Sequence, residues 1–280
     1  MRLKGWSRSL TIVGLVLVVF ALVWSLAIFP AMAKIPTDYE REYTFEGFIL
    51  QLNSETMSLD EIPTNVVRSL TATGTQDDVL LLKQEINIYH AQAGILLIST
   101  SEVYGLDRTT RENVSGYGDM DRSGQFTFPA GVEQETYTFW SSSAMTTLPA
   151  NFVSEETFQG ITVYNFKIDV ENLDAGTMEG TGLPQTMDLL TEIKVEPVSG
   201  CPVYTASTTT IKAPLTPEGP MPIYVNYFAF TSETIDEMVD LAESTRSLIL
   251  WASVYGFWII IAVGAALVAT GVVKAIRSKE

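Results

Sequence analysis

The side chains that come nearest to a metal site lie in the stretch 118–125, which reads GDMDRSGQ. Asp119, Asp121 and Ser123 occupy alternate positions before a glycine. This spacing resembles the first half of a calcium-binding loop, in which alternate oxygen ligands converge and a glycine permits a sharp turn. The twelfth position of such a loop needs a bidentate glutamate, and Ala130 stands there instead. The pattern allows a weak calcium site, the only cofactor suggested, but we favour an acidic turn between strands.

Catalytic chemistry has few candidate residues, because the chain contains one histidine, His90, and one cysteine, Cys201. A Ser-His-Asp triad would depend on His90 alone. The serines of WSSSAMTT (140–147) lack the Gly-x-Ser-x-Gly turn that presents a nucleophile. A single cysteine excludes an internal disulfide and a multi-cysteine zinc site. We therefore predict that the protein is not an enzyme.

A candidate modification site is Asn113, which begins the sequence NVS, the only N-glycosylation sequon in the chain. The sequence places it in a predicted exterior loop. Whether it is used depends on the glycosylation machinery of the organism.

Aromatic side chains are concentrated between residues 126 and 152. They are Phe126, Phe128, Tyr137, Phe139, Trp140 and Phe152. Such a set can line an apolar groove for an acyl chain, or it can stack on sugar rings. Aromatic residues at alternate strand positions are also what the core of a β domain contains, and this is the simpler interpretation. The lipid-binding or partner-binding role of the six residues is the hypothesis to test.

Two uncharged apolar segments, 10–29 and 248–273, lie near the ends of the chain. The first has 20 residues, which as a helix covers about 30 Å, the thickness of the hydrocarbon layer. A cleavable signal has an apolar core of only roughly 7–15 residues. The sequence AMA at 31–33 is nevertheless a pattern that signal peptidases cut. We favour an uncleaved transmembrane helix that ends at Pro30.

Basic residues lie outside both apolar segments. They are Arg2, Lys4, Arg8, Lys274, Arg277 and Lys279. By the positive-inside rule, residues 1–9 and 274–280 are then cytoplasmic, and everything between the two segments is extracytoplasmic. The predicted location is the plasma membrane, crossed twice.

The region between the two ends is strongly acidic. Residues 10–273 contain 11 Lys+Arg and 32 Asp+Glu, a net charge of −21. Such a surface is repelled by nucleic acid and by anionic lipid head groups. The charge therefore excludes nucleic acid as a partner.

The extracytoplasmic region, 30–232, has the composition and periodicity of a mainly β domain. In ITVYNFKIDV (161–170), apolar side chains alternate with polar ones, as in a half-buried antiparallel strand. GQFTFP (124–129) is also predicted as a strand. The expected fold is an antiparallel β-sandwich or an open barrel, placed between two transmembrane helices.

The apolar period changes to that of a helix in the segment 233–247. Ile235, Met238, Val239 and Ala242 share one helical face. Thr234 and Glu237 have the spacing of a capping box. We predict an amphipathic stalk helix that runs into the second span and packs its apolar face on the β domain. An independent linker helix is the alternative.

A set of aromatic, proline and glycine residues between 126 and 200 forms a distinctive pattern: Phe128, Pro129, Tyr137, Phe139, Trp140, Pro149, Phe152, Gly160, Tyr164, Phe166, Glu196, Pro197 and Gly200. This pattern resembles that of the PorA family of envelope membrane proteins. The family is one of unknown function, and the resemblance implies an envelope role without supplying catalytic residues. The layout of two anchors is also similar to that of CD36-class receptors, as an analogy only.

Two functional hypotheses follow from these features. In the first, the β domain binds membrane lipid, an envelope glycolipid or a membrane-protein partner. In the second, the protein is a structural or assembly component that oligomerises, with a pore as the special case. An apolar cavity connected to the membrane would favour the first hypothesis. A filled interior with an exposed apolar patch would favour the second.

Overall fold

The computed structural model describes residues 3–29, 34–217 and 219–277. Pro30 and the AMA sequence at 31–33 lie outside the described residues, as do the extreme ends of both predicted cytoplasmic segments. The chain forms two compact units. One is helical and consists of Met1–Lys34 with Ser244–Glu280, and the other, Ile35–Glu243, contains the strands.

Two helical segments, Gly5–Ile28 and Ser232–Arg277, are long and apolar enough to cross a membrane. The first lies within helix α1 (Leu3–Val23) and the π-helical turn that continues it, Trp24–Ile28. The second contains α2 (Ser232–Leu250), a π-helical turn (Trp251–Tyr255) and α3 (Gly256–Arg277). The two π turns are joined by a hydrogen bond of 2.9 Å from the Trp24 indole nitrogen to the carbonyl of Ala252.

Helices α1 and α3 pack closely because glycines lie at their contact. A Cβ atom on Gly14 would come within 2.5 Å of the Gly264 carbonyl oxygen, and one on Gly271 within 2.3 Å of the Thr11 hydroxyl. Small residues let transmembrane helices approach this closely, and the resulting van der Waals contact holds the pair together.

We expect Gly14→Val to weaken the α1–α3 pair by about 1–3 kcal/mol, the usual cost of overpacking a close contact. Gly5→Val is the matched control, because a Cβ atom on Gly5 would meet nothing within 4 Å. Thermal unfolding of the detergent-solubilised protein, followed by helical circular dichroism, measures both. Equal melting temperatures for the two variants would contradict the packing described above.

The described residues of the second unit form eleven strands. Their bounds are β1 Glu40–Asn53, β2 Ser58–Gln76, β3 Val79–His90, β4 Leu96–Asp107, β5 Asn113–Gly118, β6 Tyr137–Ser141, β7 Thr146–Phe158, β8 Ile161–Thr177, β9 Pro184–Glu196, β10 Cys201–Thr216 and β11 Gly219–Phe230. They form one antiparallel sheet in the order β5-β4-β3-β2-β1-β11-β10-β9-β8-β7-β6. The prediction of a mainly β, antiparallel domain is confirmed.

The two edges of this sheet are joined by a short segment. Gln125 bridges Glu112, just before β5, and Phe139 in β6. The Gly124 carbonyl accepts the Asn113 N–H at 2.8 Å, and the Gln125 N–H donates to Thr138 at 2.7 Å. The sequence predicted either a sandwich of two sheets or an open barrel. The structure has one sheet, and its two edge strands are bridged through Gln125. The predicted strand at 124–129 was wrong, since this segment makes only isolated bridges.

The first turns of α2 are attached to the sheet through threonine hydroxyl groups. The Thr44 hydroxyl lies 2.7 Å from that of Thr231 and 2.8 Å from that of Thr234. The Thr231 hydroxyl also accepts the Thr234 N–H, as a helix N-cap does. The cap is therefore Thr231, three residues before the predicted one. Met238, Val239 and Ala242 are buried with side chains from the sheet, as the apolar period predicted.

Candidate functional site

Four of the six predicted aromatic residues lie in one buried cluster. Phe128, which is 1% exposed, is at its centre. Its ring centroid lies 4.7 Å from Phe139, 5.2 Å from Tyr137 and 4.5 Å from Phe166. Phe152 is partly buried against the same cluster. These rings fill the interior between β6, β7 and β8, and their role in binding stays a prediction.

The other two aromatic residues, Phe126 and Trp140, pack against a second cluster that includes Tyr104. The centroids of Phe126 and Tyr104 are 4.7 Å apart. Two arginines lie over this group, with Arg68 5.5 Å from the Phe126 centroid and Arg122 6.0 Å from that of Trp140. The sequence placed the six aromatic residues together, but the structure divides them between two clusters.

The carboxylates of the candidate calcium loop are engaged within the protein. Asp119 pairs with Arg122 at 2.5 Å and accepts the Val103 N–H at 2.9 Å. Asp121 accepts hydrogen bonds from Ser115 and from the Gly116 N–H, and Ser123 is exposed. In the described part of the chain, no group of three or more His, Cys, Asp or Glu side chains is arranged to hold a metal. Calcium binding here stays a prediction.

The remaining candidate residues are held in turns and bridges. The Asn113 amide nitrogen donates to the Gly124 carbonyl at 3.0 Å, so the sequon nitrogen is occupied in the folded protein. The His90 ring nitrogen accepts the N–H groups of Gln92 and Ala93 in the β3–β4 turn. Burial raises the pKa of the Cys201 thiol, so the reactive thiolate is disfavoured.

Residues of the family-like pattern meet at the β9–β10 turn. The Glu196 carboxylate accepts the N–H groups of Val198 and Ser199. Gly200 has φ +71, and a Cβ atom there would come within 2.0 Å of the Pro129 carbonyl oxygen. Arg111 donates to the carbonyl oxygens of Phe128 and Ser199, which ties the two segments together. These pattern residues serve the architecture of the unit.

Sequence reasoning missed a polar network where the two ends of the sheet approach each other. We call it the seam network and define it as Gln84, Glu102, Tyr104, Arg122 and Ser142. One Glu102 oxygen, Oε2, accepts hydrogen bonds from the Tyr104 hydroxyl at 2.5 Å, the Ser142 hydroxyl at 2.9 Å and the Gln84 amide at 3.2 Å. The network therefore links β3 and β4 to the turn that follows β6.

Arg122 supplies the positive charge of the seam network. Its side chain is 3% exposed and lies 3.8 Å from the second Glu102 oxygen. The guanidinium also donates to the Val103 carbonyl at 3.0 Å and stands 4.2 Å above the Tyr104 ring. A buried cation is stable only when such partners replace its lost hydration. Asp119 is only three residues from Arg122, but Glu102, Val103 and Tyr104 belong to a separate strand, so no local sequence signal marks Arg122 as buried.

The seam network also shifts the ionisation of Tyr104. Burial, and then its hydrogen bond to Glu102, raise the pKa of Tyr104 to about 12. The ordinary value, which the unfolded chain has, is about 10. Above pH 10 the unfolded state loses this proton while the folded state keeps it. Stability from this group is therefore complete below pH 10 and falls as the pH rises towards 12.

We expect Tyr104 to lower the free energy of unfolding of the wild-type protein by about 1.4 kcal/mol at pH 11 relative to pH 8. In Tyr104→Phe this part of the pH dependence should disappear, although the variant is less stable at every pH. Urea midpoints at pH 8 and pH 11 measure the difference for both proteins. An unchanged pH slope in the variant would show that Tyr104 is not the group responsible.

A second missed feature is an open strand edge at 95–101, which we call the β4 edge. Ile95, Leu96, Leu97 and Ile98 are respectively 62, 49, 39 and 38% exposed. The edge is open because β5 is only six residues long and pairs with β4 only at Tyr104 and Leu106. Sequence reasoning could not find this edge, because whether a strand has a neighbour on both sides is not visible in its own residues.

These features define a class: a membrane protein with two apolar helices and a large antiparallel β unit between them in sequence. The profile of the PorA family, described as Porin PorA, matches residues 7–273. The chain belongs to this family, as the resemblance indicated. No curated protein matches the sequence. The family and the two apolar helices support a membrane location.

Proposed function

We propose that this protein is a non-enzymatic structural component of the cell envelope that acts by self-association. It is anchored by two spans, both termini are cytoplasmic, and the β unit is extracytoplasmic. The positive residues outside the spans and the net charge of −21 between them support this topology. Of the two hypotheses derived from the sequence, this is the second.

The observation that carries the proposal is the contrast between the interior and the surface of the β unit. Aromatic rings pack at centroid distances of 4.5–5.9 Å around Phe128 and Phe166, which leaves the space between them occupied. At the surface, four consecutive apolar side chains of the β4 edge are exposed. Exposed apolar residues in a contiguous patch are typical of protein interaction sites.

Native mass spectrometry of the full chain released from detergent or nanodiscs tests the proposal. We expect lipid-free oligomers as the main species, with a subunit ratio that persists on dilution into mild detergent. Monomers that carry a stoichiometric lipid or glycolipid would overturn the proposal and support the lipid-binding hypothesis. Monomers without any ligand would also overturn it.

The pore-forming alternative has a separate measurement. No charged residue lies within 10–29 or 248–273, so neither span offers a charged lining for an ion path. We therefore expect the protein to give no stepwise conductance in planar bilayers. Reproducible channel steps would show that the oligomer forms a pore.

A further inference from the structure

We propose that the β4 edge is the self-association interface, and that two copies pair there as antiparallel strands about a two-fold axis at Ile98. This inference rests on the proposed function, since it identifies the surface through which copies associate.

The backbone of the β4 edge has hydrogen-bonding groups directed outward. Val103 directs its N–H and C=O away from β3, because they bond to Asp119 and Arg122. Backbone direction alternates along a strand, so the N–H and C=O of Ser101 and Ser99 point the same way. Both serines are exposed. Another strand can pair with such outward-directed groups, as in β-strand addition.

An apolar row leads across the sheet to this edge. Phe45 in β1 pairs with Val66 in β2, Val66 pairs with Ile88 in β3, and Ile88 pairs with Ile98 in β4. Val66 and Ile88 are buried, but Ile98 is 38% exposed because β4 has no neighbour there. A strand that pairs with β4 would continue the row and bury Ile98.

A second copy is the occupant that matches this edge. In a two-fold antiparallel pair centred on Ile98, the row continues through Ile98 and Ile88 of the other copy, so one patch is complementary to itself. Segment 95–101 contains no charged residue, although natural edge strands are usually protected by charges. The rest of the region is strongly acidic, so two copies approach most easily where neither carries charge.

The proposed register makes a specific geometric prediction. Ile98 directs its backbone towards β3, so the two Ile98 residues form a non-hydrogen-bonded pair, with Cβ atoms about 4.5–5.5 Å apart. Disulfides form at Cβ separations close to this range. Ser99 lies opposite Leu97 in this register, and its side chain points to the other face.

Cysteine cross-linking in membranes tests the register, with Cys201→Ser as the background so that the native thiol is removed. We expect Ile98→Cys to give a disulfide-linked dimer on mild oxidation. Ser99→Cys is the neighbouring control, and Val153→Cys is the distant one, since Val153 is 59% exposed on β7. Both should cross-link at least about fivefold less, because their sulfur atoms do not meet.

A charge at the interface tests its energetic importance. We expect Ile98→Lys to weaken self-association roughly a hundredfold, because each copy loses a buried isoleucine and gains a like charge opposite its own. Val153→Lys should leave it unchanged. Fluorescence energy transfer between differently labelled copies in nanodiscs measures the affinity, and circular dichroism checks that both variants are folded.

The outcomes separate the interface from the function. If oligomers persist while Ile98→Cys does not cross-link and Ile98→Lys has no effect, the β4 edge is not the interface and the proposed function stands. If the full chain is monomeric, the proposed interface and the proposed function are both wrong. If Ile98→Lys instead removes a different co-purifying protein or bound lipid, the edge docks that occupant and the second copy is excluded.

Discussion

Arg122→Ala is expected to lower the free energy of unfolding of the β unit by about 3 kcal/mol. Breaking a buried ion pair usually costs about 3–5 kcal/mol, and the lower end applies because Asp119 is 40% exposed and can recover hydration. The variant also removes a hydrogen bond to Val103 and the cation above Tyr104. The substitution therefore acts on the seam between the two ends of the sheet.

The measurement is urea unfolding followed by β-sheet circular dichroism, together with hydrogen exchange of the peptides that contain β4 and β6. Exchange should increase in both, because the seam network joins them. Lys167→Ala is the control: Lys167 pairs with Asp169 on the surface, where ion pairs contribute at most about 1 kcal/mol. The urea midpoint of Arg122→Lys should lie between those of Arg122→Ala and the wild type, since lysine keeps the positive charge but loses the planar guanidinium group. An Arg122→Ala midpoint equal to that of the control would contradict the role assigned to the network.

Phe128→Ala is expected to destabilise the β unit by about 3–5 kcal/mol, the usual cost of deleting a buried aromatic ring. The ring is 1% exposed and contacts three other rings, so its removal leaves a cavity that rigid neighbours cannot fill. A ring that lined an open lipid groove would instead be exposed in the free protein, and its loss would cost little stability.

Urea unfolding, as used for Arg122→Ala, shows whether these aromatic rings form part of the core or line a lipid-binding groove. Phe152→Ala is the matched control from the predicted aromatic set, since Phe152 is only partly buried at the margin of the cluster, and we expect a clearly smaller loss. Lipid retained by the full chain should be the same in both variants and in the wild type. A stable Phe128→Ala protein that loses bound lipid would show that these rings form a ligand site.

Local periodicity was sufficient to predict much of the fold. Alternating side chains such as Phe166 and Ile168 identified strands, and the spacing of Met238, Val239 and Ala242 identified the face of α2 that packs on the sheet. These predictions succeed because the period of apolar residues reports directly which side of an element is buried. Strand β2, Ser58–Gln76, was not identified, since charged and polar residues interrupt its alternation.

The sequence by itself indicated two long apolar helices near its ends and an acidic, mainly β region between them, because length, charge and apolar period are local properties. Only the tertiary structure decided that Gln125 bridges the ends of one sheet, that Arg122 and Glu102 meet at the seam, and that Ile98 stands at an open edge. Each of these depends on which strands become neighbours. That choice is made by contacts between residues far apart in the chain, and no local pattern records it.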